Sequence, residues 1–175
     1  MAKISVLGAG GWGLALALTV YSNGYDVTVW SPFEEEVKEL TQKRTNSRLL
    51  RGVMIPEKIN ITTDINDIKD SMITVLATPS FAIRETAKRL KSQKDFGVLV
   101  NVAKGLESES LKRLSQVIEE ELPSASLVVL SGPSHAEEVA RKIPTMLTAS
   151  SLKAECSDLV QKVFSNDFLR VYTNP

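Results

Sequence analysis

Hydrophobic and polar positions change period regularly along this chain. Short apolar runs rich in β-branched residues alternate with longer stretches in which apolar residues recur every three or four positions. The first pattern suits strands buried on both faces, the second helices that lay one stripe on a core. Strands are predicted at 3–7, 26–30, 72–77, 97–101 and 127–130, with weaker ones at 59–62, 145–149 and 169–172. Helices are predicted over 11–23, closed by Gly24, and over 33–44, 80–92, 109–121, 134–141 and 153–166. Such alternation implies an α/β protein with a doubly wound, mostly parallel sheet and helices on both faces. Between 45 and 56 the period lapses, so an irregular loop is expected there, with Arg44, Arg48 and Arg51 in solvent.

The run GAGGWG at 8–13 lies between the first strand and the first helix, where G-x-G-x-x-G acquires a physical meaning. Gly8 permits the tight turn, Gly10 leaves no β-carbon where a pyrophosphate approaches, and Gly13 lets the helix pack closely on the strand. Helix-end N–H groups around Gly11 and Trp12 then point at the phosphates, aided by the helix dipole. This turn makes the fold Rossmann-like and the ligand a dinucleotide. After the second strand come Ser31, Pro32, Phe33 and only then Glu34, Glu35 and Glu36. The acids fall in the first turn of the next helix, where they favour its dipole, so NAD and NADP are expected to differ by less than about tenfold in affinity.

Composition narrows the partners. With 21 Lys+Arg against 21 Asp+Glu, the chain has no overall field to attract nucleic acid or an anionic membrane. The longest stretch free of charge, 4–25, is broken by five glycines and does not read as a membrane span. One cysteine, Cys156, cannot form an internal disulfide, and an apolar strand follows the first residues directly, so a cytoplasmic setting is expected. Cys156 lacks a neighbouring Cys or His, and no metal site is expected.

Two further segments fall at the carboxyl ends of predicted strands, where doubly wound sheets bind ligands. In NVAKG at 101–105, Lys104 stands above the sheet, able to neutralise a phosphate or orient a substrate oxygen. In LSGPSHAEEV at 130–139, Gly132 relieves the backbone, and Ser134 has the spacing to Glu137 of a capping box. His135, the only histidine, falls in a first helical turn without a local Asp or Ser partner, which favours a peripheral role.

Taken in order, GAGGWG with LALA behind it, ATPSF at 77–81, AKGLE at 103–107, SGPSHAEE at 131–138 and YTNP at 172–175 carry a resemblance across the whole chain. The sequence resembles the amino-terminal part of the bacterial NAD(P)-dependent sn-glycerol-3-phosphate dehydrogenases. That resemblance implies hydride transfer between dihydroxyacetone phosphate and sn-glycerol 3-phosphate, in the supply of phospholipid backbones. It implies dinucleotide contacts at Gly11, Trp12, Lys104 and Ala136, with Pro79 and Phe81 beside the nicotinamide. It also implies substrate contacts at Lys104, Gly132 and Ser134. Relatives commonly carry Arg where this chain has Phe33, and they continue into a helical domain holding a proton-donating lysine and most of the phosphate site. Residues 1–175 are therefore expected to be the dinucleotide-binding domain, inactive alone, and a homodimer is open for the full-length enzyme. The same first turn would serve another two-domain dehydrogenase or a non-catalytic dinucleotide sensor.

Overall fold

The computed structural model describes residues 1–93 and 95–174. The chain runs β1 (Lys3–Leu7), α1 (Gly11–Ser22), β2 (Asp26–Trp30), α2 (Glu34–Lys43), β3 (Thr45–Asn46), β4 (Leu50–Met54), β5 (Asn60–Thr62) and β6 (Ile73–Leu76). It continues through α3 (Ile83–Leu90), β7 (Val98–Asn101), α4 (Leu114–Glu121), β8 (Leu127–Ser131), α5 (Ala136–Ala140), β9 (Thr145–Ser150), α6 (Ala154–Phe164) and β10 (Leu169–Asn174). Among the described residues, eight strands form one sheet in the order β10-β9-β8-β7-β6-β1-β2-β5, while β3 and β4 make a separate hairpin. Every neighbour pair in the large sheet is parallel except β8 with β9. From β1 the chain builds outward through β2 and β5, then returns to the opposite side of β1 with β6. The carboxyl ends of β1 and β6 thus flank a topological switch point, the place where open α/β sheets leave a crevice.

Alternation along the strands sets the two layers. Ile4, Val6, Val29, Ile73, Val75 and Val100 join α1, α5 and α6 in one apolar cluster. Their neighbours Leu7, Trp30, Leu76 and Leu99 join α3 and α4 in the other. Each fully buried Val, Leu or Ile contributes about 1.5–3 kcal/mol, so the central strands hold both layers to one plane. Helix α1 is buried along Gly13–Ala17. It ends where Asn23 donates its backbone N–H to Thr19 and its side chain to the Val163 carbonyl at 2.8 Å, fastening α1 to α6.

Four local expectations change. The 45–56 segment is the β3–β4 hairpin: Arg44 turns left-handed (φ 49), its guanidinium donates to the Ile59 carbonyl at 2.9 Å, and Ile55 N–H bonds back to the Arg44 carbonyl. Arg44 is therefore part of the fold rather than a solvated charge. The fourth helix starts at Leu114 instead of 109, because Leu111 takes a positive φ and Gln116 accepts the Arg113 N–H at 3.1 Å. The helix expected from 80 opens as a 3-10 turn, Ser80–Ala82. Finally, α5 begins at Ala136 with His135 as its N-cap; the Ser134 hydroxyl turns back to the Gly132 carbonyl, so no capping box with Glu137 forms. The YTNP run enters β10 through Tyr172, Thr173 and Asn174, while Pro175 lies outside the described residues.

Candidate dinucleotide site

The switch-point crevice is a cleft of about 680 Å³. Gly8, Gly10, Gly11 and Trp12 line it from the β1–α1 turn, Pro79 and Phe81 from the turn after β6, Lys104 after β7, and Ser134, His135 and Ala136 after β8. Sequence segments more than 100 residues apart thus meet at one sheet edge, as their strand-end positions require.

The glycines do different work. Gly8 sits at φ +120, and a β-carbon there would come within 2.7 Å of the Ala77 carbonyl, so the turn and the β6 end are packed backbone to backbone. A β-carbon on Gly13 would lie 2.0 Å from the Gly8 oxygen; Gly13 is under the site, not in its lining. On Gly11 it would meet the Leu49 carbonyl at 2.8 Å, where the loop between β3 and β4 closes over the turn. At Gly10 it would meet nothing within 4 Å. That open direction, on a residue lining the cleft, is space for a ligand.

Gly10 also caps α1 without any side-chain hydrogen bond, leaving first-turn N–H groups to an outside acceptor. Beside it, the buried Trp12 Nε1 donates to no acceptor among the described residues. Open space, uncapped donors and an orphaned indole N–H fit an anionic, oxygen-rich group such as a pyrophosphate.

On the far side, Lys104 bridges two loops: its ammonium donates to the Gly132 carbonyl at 3.1 Å and the Ser134 carbonyl at 3.4 Å. Gly132 itself does not line the cleft. Its missing side chain makes room for β9, since a β-carbon would stand 2.8 Å from the Met146 oxygen.

The Lys104 loop is anchored from behind. Arg84 on α3 holds Glu107 through two hydrogen bonds, at 2.7 and 2.8 Å, and reaches Glu121 at 2.8 Å and Glu120 at 2.9 Å at the end of α4. Those Arg84 bonds, with the Ser110 hydroxyl, draw the Glu107 carboxyl down to about 2, and the three carboxylates raise Arg84. Lys112 and then Arg84 lower Glu120; Lys91 and then Arg84 lower Glu121.

Several lining residues escape a motif reading: Trp30, Ser31, Glu36, Leu49 and Arg89. The 3–4 spacing of Ala82, Glu85, Thr86 and Arg89, all of which line the cleft, was a legible sign that one face of α3 turns toward it. Arg89 lies over the Trp30 ring at 5.8 Å. Leu49 had no such signal, because its place depends on the hairpin. Phe33 and Phe81 stand 66% and 75% exposed at the cleft, apolar surface that a flat ring would cover.

Comparison with known proteins decides the family. The pattern described as NAD-dependent glycerol-3-phosphate dehydrogenase N-terminus matches residues 3–157. The chain belongs to this family. It is 46% identical to a glycerol-3-phosphate dehydrogenase (NAD(P)+) of Fusobacterium nucleatum, over 100% of this chain and 53% of that protein. An Agathobacter rectalis protein of the same name is 42% identical, again over 100% of this chain and 53% of its own length. The crystal structure of a Coxiella burnetii glycerol-3-phosphate dehydrogenase superposes with a TM-score of 0.92 at 31% identity, covering 99% of this chain and 54% of that one. The chain therefore spans about half the length of the glycerol-3-phosphate dehydrogenases it matches. Among the described residues, no helix is long and apolar enough to cross a membrane.

Proposed function

We propose that this chain is the dinucleotide-binding domain of an NAD(P)-dependent sn-glycerol-3-phosphate dehydrogenase, which interconverts dihydroxyacetone phosphate and sn-glycerol 3-phosphate for glycerophospholipid synthesis. The observation that carries this reading is the cleft at the switch point, floored by an uncapped glycine turn and edged by Lys104. The relatives are about twice as long, and we assign a helical substrate domain, with the principal proton donor and phosphate-gripping groups, to the remaining length. A cytoplasmic setting agrees with the lone, buried Cys156.

In this reading the first-turn N–H groups of α1 and the helix dipole hold the pyrophosphate, and Gly10 leaves room for it. Pro79 and Phe81 position the nicotinamide ring. A nicotinamide held there would supply a hydride to the substrate's carbonyl carbon. Negative charge then grows on the carbonyl oxygen, and Lys104 is placed to stabilise it. Its ammonium has three donors, of which two are committed to the Gly132 and Ser134 carbonyls, so one remains for a substrate oxygen. The same bonds fix the ammonium's position before substrate arrives, which lowers the reorganisation required in the transition state.

The test is NADH or NADPH oxidation with dihydroxyacetone phosphate by the protein carrying this domain at its relatives' full length. Lys104→Ala is expected to lower turnover by roughly 10²-fold or more, the scale of losing one oxyanion-stabilising donor, with an unchanged melting temperature. Undiminished turnover would remove Lys104 from the chemistry. No turnover in the wild type, with either cofactor, would overturn the enzyme assignment.

A further inference from the structure

Sequence order alone sends Glu34, Glu35 and Glu36 to the first turn of α2, as charges that serve the helix dipole. The structure separates them: of the three, only Glu36 lines the cleft. The Ser31–Phe33 turn carries α2 back toward the carboxyl end of β2, which is where the adenosine ribose lies in dinucleotide-binding sheets. Ser31 is buried, and its hydroxyl donates to Glu36 Oε2 at 2.5 Å while accepting the Phe33 N–H at 3.3 Å. The other oxygen, Glu36 Oε1, takes no hydrogen bond among the described residues. One oxygen is thus anchored and the other is left without a described protein partner, on a residue that lines the cleft.

Resting on the dinucleotide reading above, we propose that Glu36 is the specificity-determining residue of the adenosine end. It accepts a hydrogen bond from the ribose 2′-hydroxyl and repels a 2′-phosphate, so that this protein selects NADH over NADPH.

A helix cap alone would not require the charge, since a neutral acceptor would hold Ser31 equally well. Several nearby cations already hold protein partners. Arg44 donates to the Ile59 and Pro56 carbonyls, and Arg51 Nε donates to the Ser47 carbonyl. Arg48 does not line this cleft, but it lines the neighbouring cavity that Glu36 also borders. Lys104 follows β7, three strand spacings from β2 and hence about 14 Å across the sheet. Arg89 is the cation that shares the adenosine end, and its guanidinium lies on the Trp30 ring. With Arg89 held on the Trp30 ring rather than against Glu36, a carboxylate facing a 2′-phosphate disfavours NADPH by at least about tenfold at low salt.

Calorimetric titration of the chain with NADH and with NADPH, for wild type and Glu36→Gln, tests the assignment. NADH is expected to bind wild type at least about tenfold more tightly than NADPH, and Glu36→Gln to bring the two within about threefold, mainly by improving NADPH. The amide still accepts from Ser31, so the fold should hold. A salt series on the wild type gives a second readout independent of any variant: a repulsive origin requires the gap to narrow between 0.05 and about 0.5 M salt. Equal wild-type affinities, a salt-independent gap, or a gap unchanged in a folded Glu36→Gln would overturn the role of Glu36. A preference for NADPH would overturn it in favour of Arg89 or Arg48. Failure of both cofactors to bind would instead overturn the dinucleotide reading on which the proposal rests.

Discussion

Two strand–turn–helix junctions border the cleft, one after β1 and one after β8, and in sequence both announce themselves by glycine. After β1, the N-cap Gly10 faces open space and leads into a twelve-residue helix whose first turn has no side-chain cap. After β8, Gly132 faces the backbone of β9, the helix is five residues long, and the loop carbonyls are already engaged by Lys104. At Gly10 the first junction leaves space open, whereas at Gly132 the second is filled by the protein itself. The difference lies in what a β-carbon would strike, which the G-x-G-x-x-G spacing signals at the first junction and nothing in the sequence signals at the second.

Within the first junction the contrast is sharper still, because Gly13 faces backbone where Gly10 faces open space. Gly13→Val would push a branched side chain into the Gly8 carbonyl, 2.0 Å from where its β-carbon would stand. Backbone cannot yield that far without separating α1 from β1. The variant is expected to lose more than about 4 kcal/mol and its cooperative melt; a circular-dichroism transition near that of wild type would show that the junction is looser than its packing implies.

Gly132→Ala comes next. Its β-carbon would lie 2.8 Å from the Met146 oxygen and 3.1 Å from Leu147. Overpacking of this kind costs about 1–3 kcal/mol, to be read from urea denaturation. Cofactor affinity of the folded variant should hardly change, because Gly132 stands outside the cleft lining. A selective loss of cofactor binding with full stability would erase the distinction drawn between the junctions.

The loop that carries Lys104 to the second junction should respond to acid. Glu107 has a folded-state pKa near 2 against an ordinary value of 4.5, so its ion pair with Arg84 stabilises the fold fully above about pH 4.5 and is lost as pH falls toward 2. Glu120 and Glu121, also lowered, act in the same sense. Urea midpoints measured from pH 6 to 2.5 should fall in wild type and fall less in Arg84→Met. Parallel curves would mean that the cluster does not hold the Lys104 loop.

Much of this architecture was legible beforehand, for reasons that also explain the gaps. Strands β1 and β2 were read to the residue because both faces are buried and the apolar runs stop at glycine or at polar residues. The GAGGWG turn was legible because its flanks fix its geometry. What depended on tertiary contact was not. The β3–β4 hairpin lacks an alternating pattern across Gly52 and is built on Arg44 in a left-handed conformation. The late start of α4 follows from the Arg84 anchor on Glu107 and the turn at Leu111. Ser134 has capping chemistry, yet its hydroxyl turns to Gly132. Glu36 entered the cleft through a hydrogen bond to Ser31 that spacing along α2 does not reveal.

Whether the β1–α1 junction is built around a ligand is decided by Gly10→Val. Gly10 has φ −66 and ψ 173, an extended conformation open to any residue, and a β-carbon there touches nothing. The fold should therefore lose no more than about 1 kcal/mol, the scale of a poorer N-cap residue. NADH affinity, measured by titration on the same sample, should fall by at least about 100-fold, since the new side chain fills the space a pyrophosphate needs. Unchanged NADH binding in a folded Gly10→Val variant would contradict the account, and would mean that this turn, like the one at Gly132, serves only the protein's own packing.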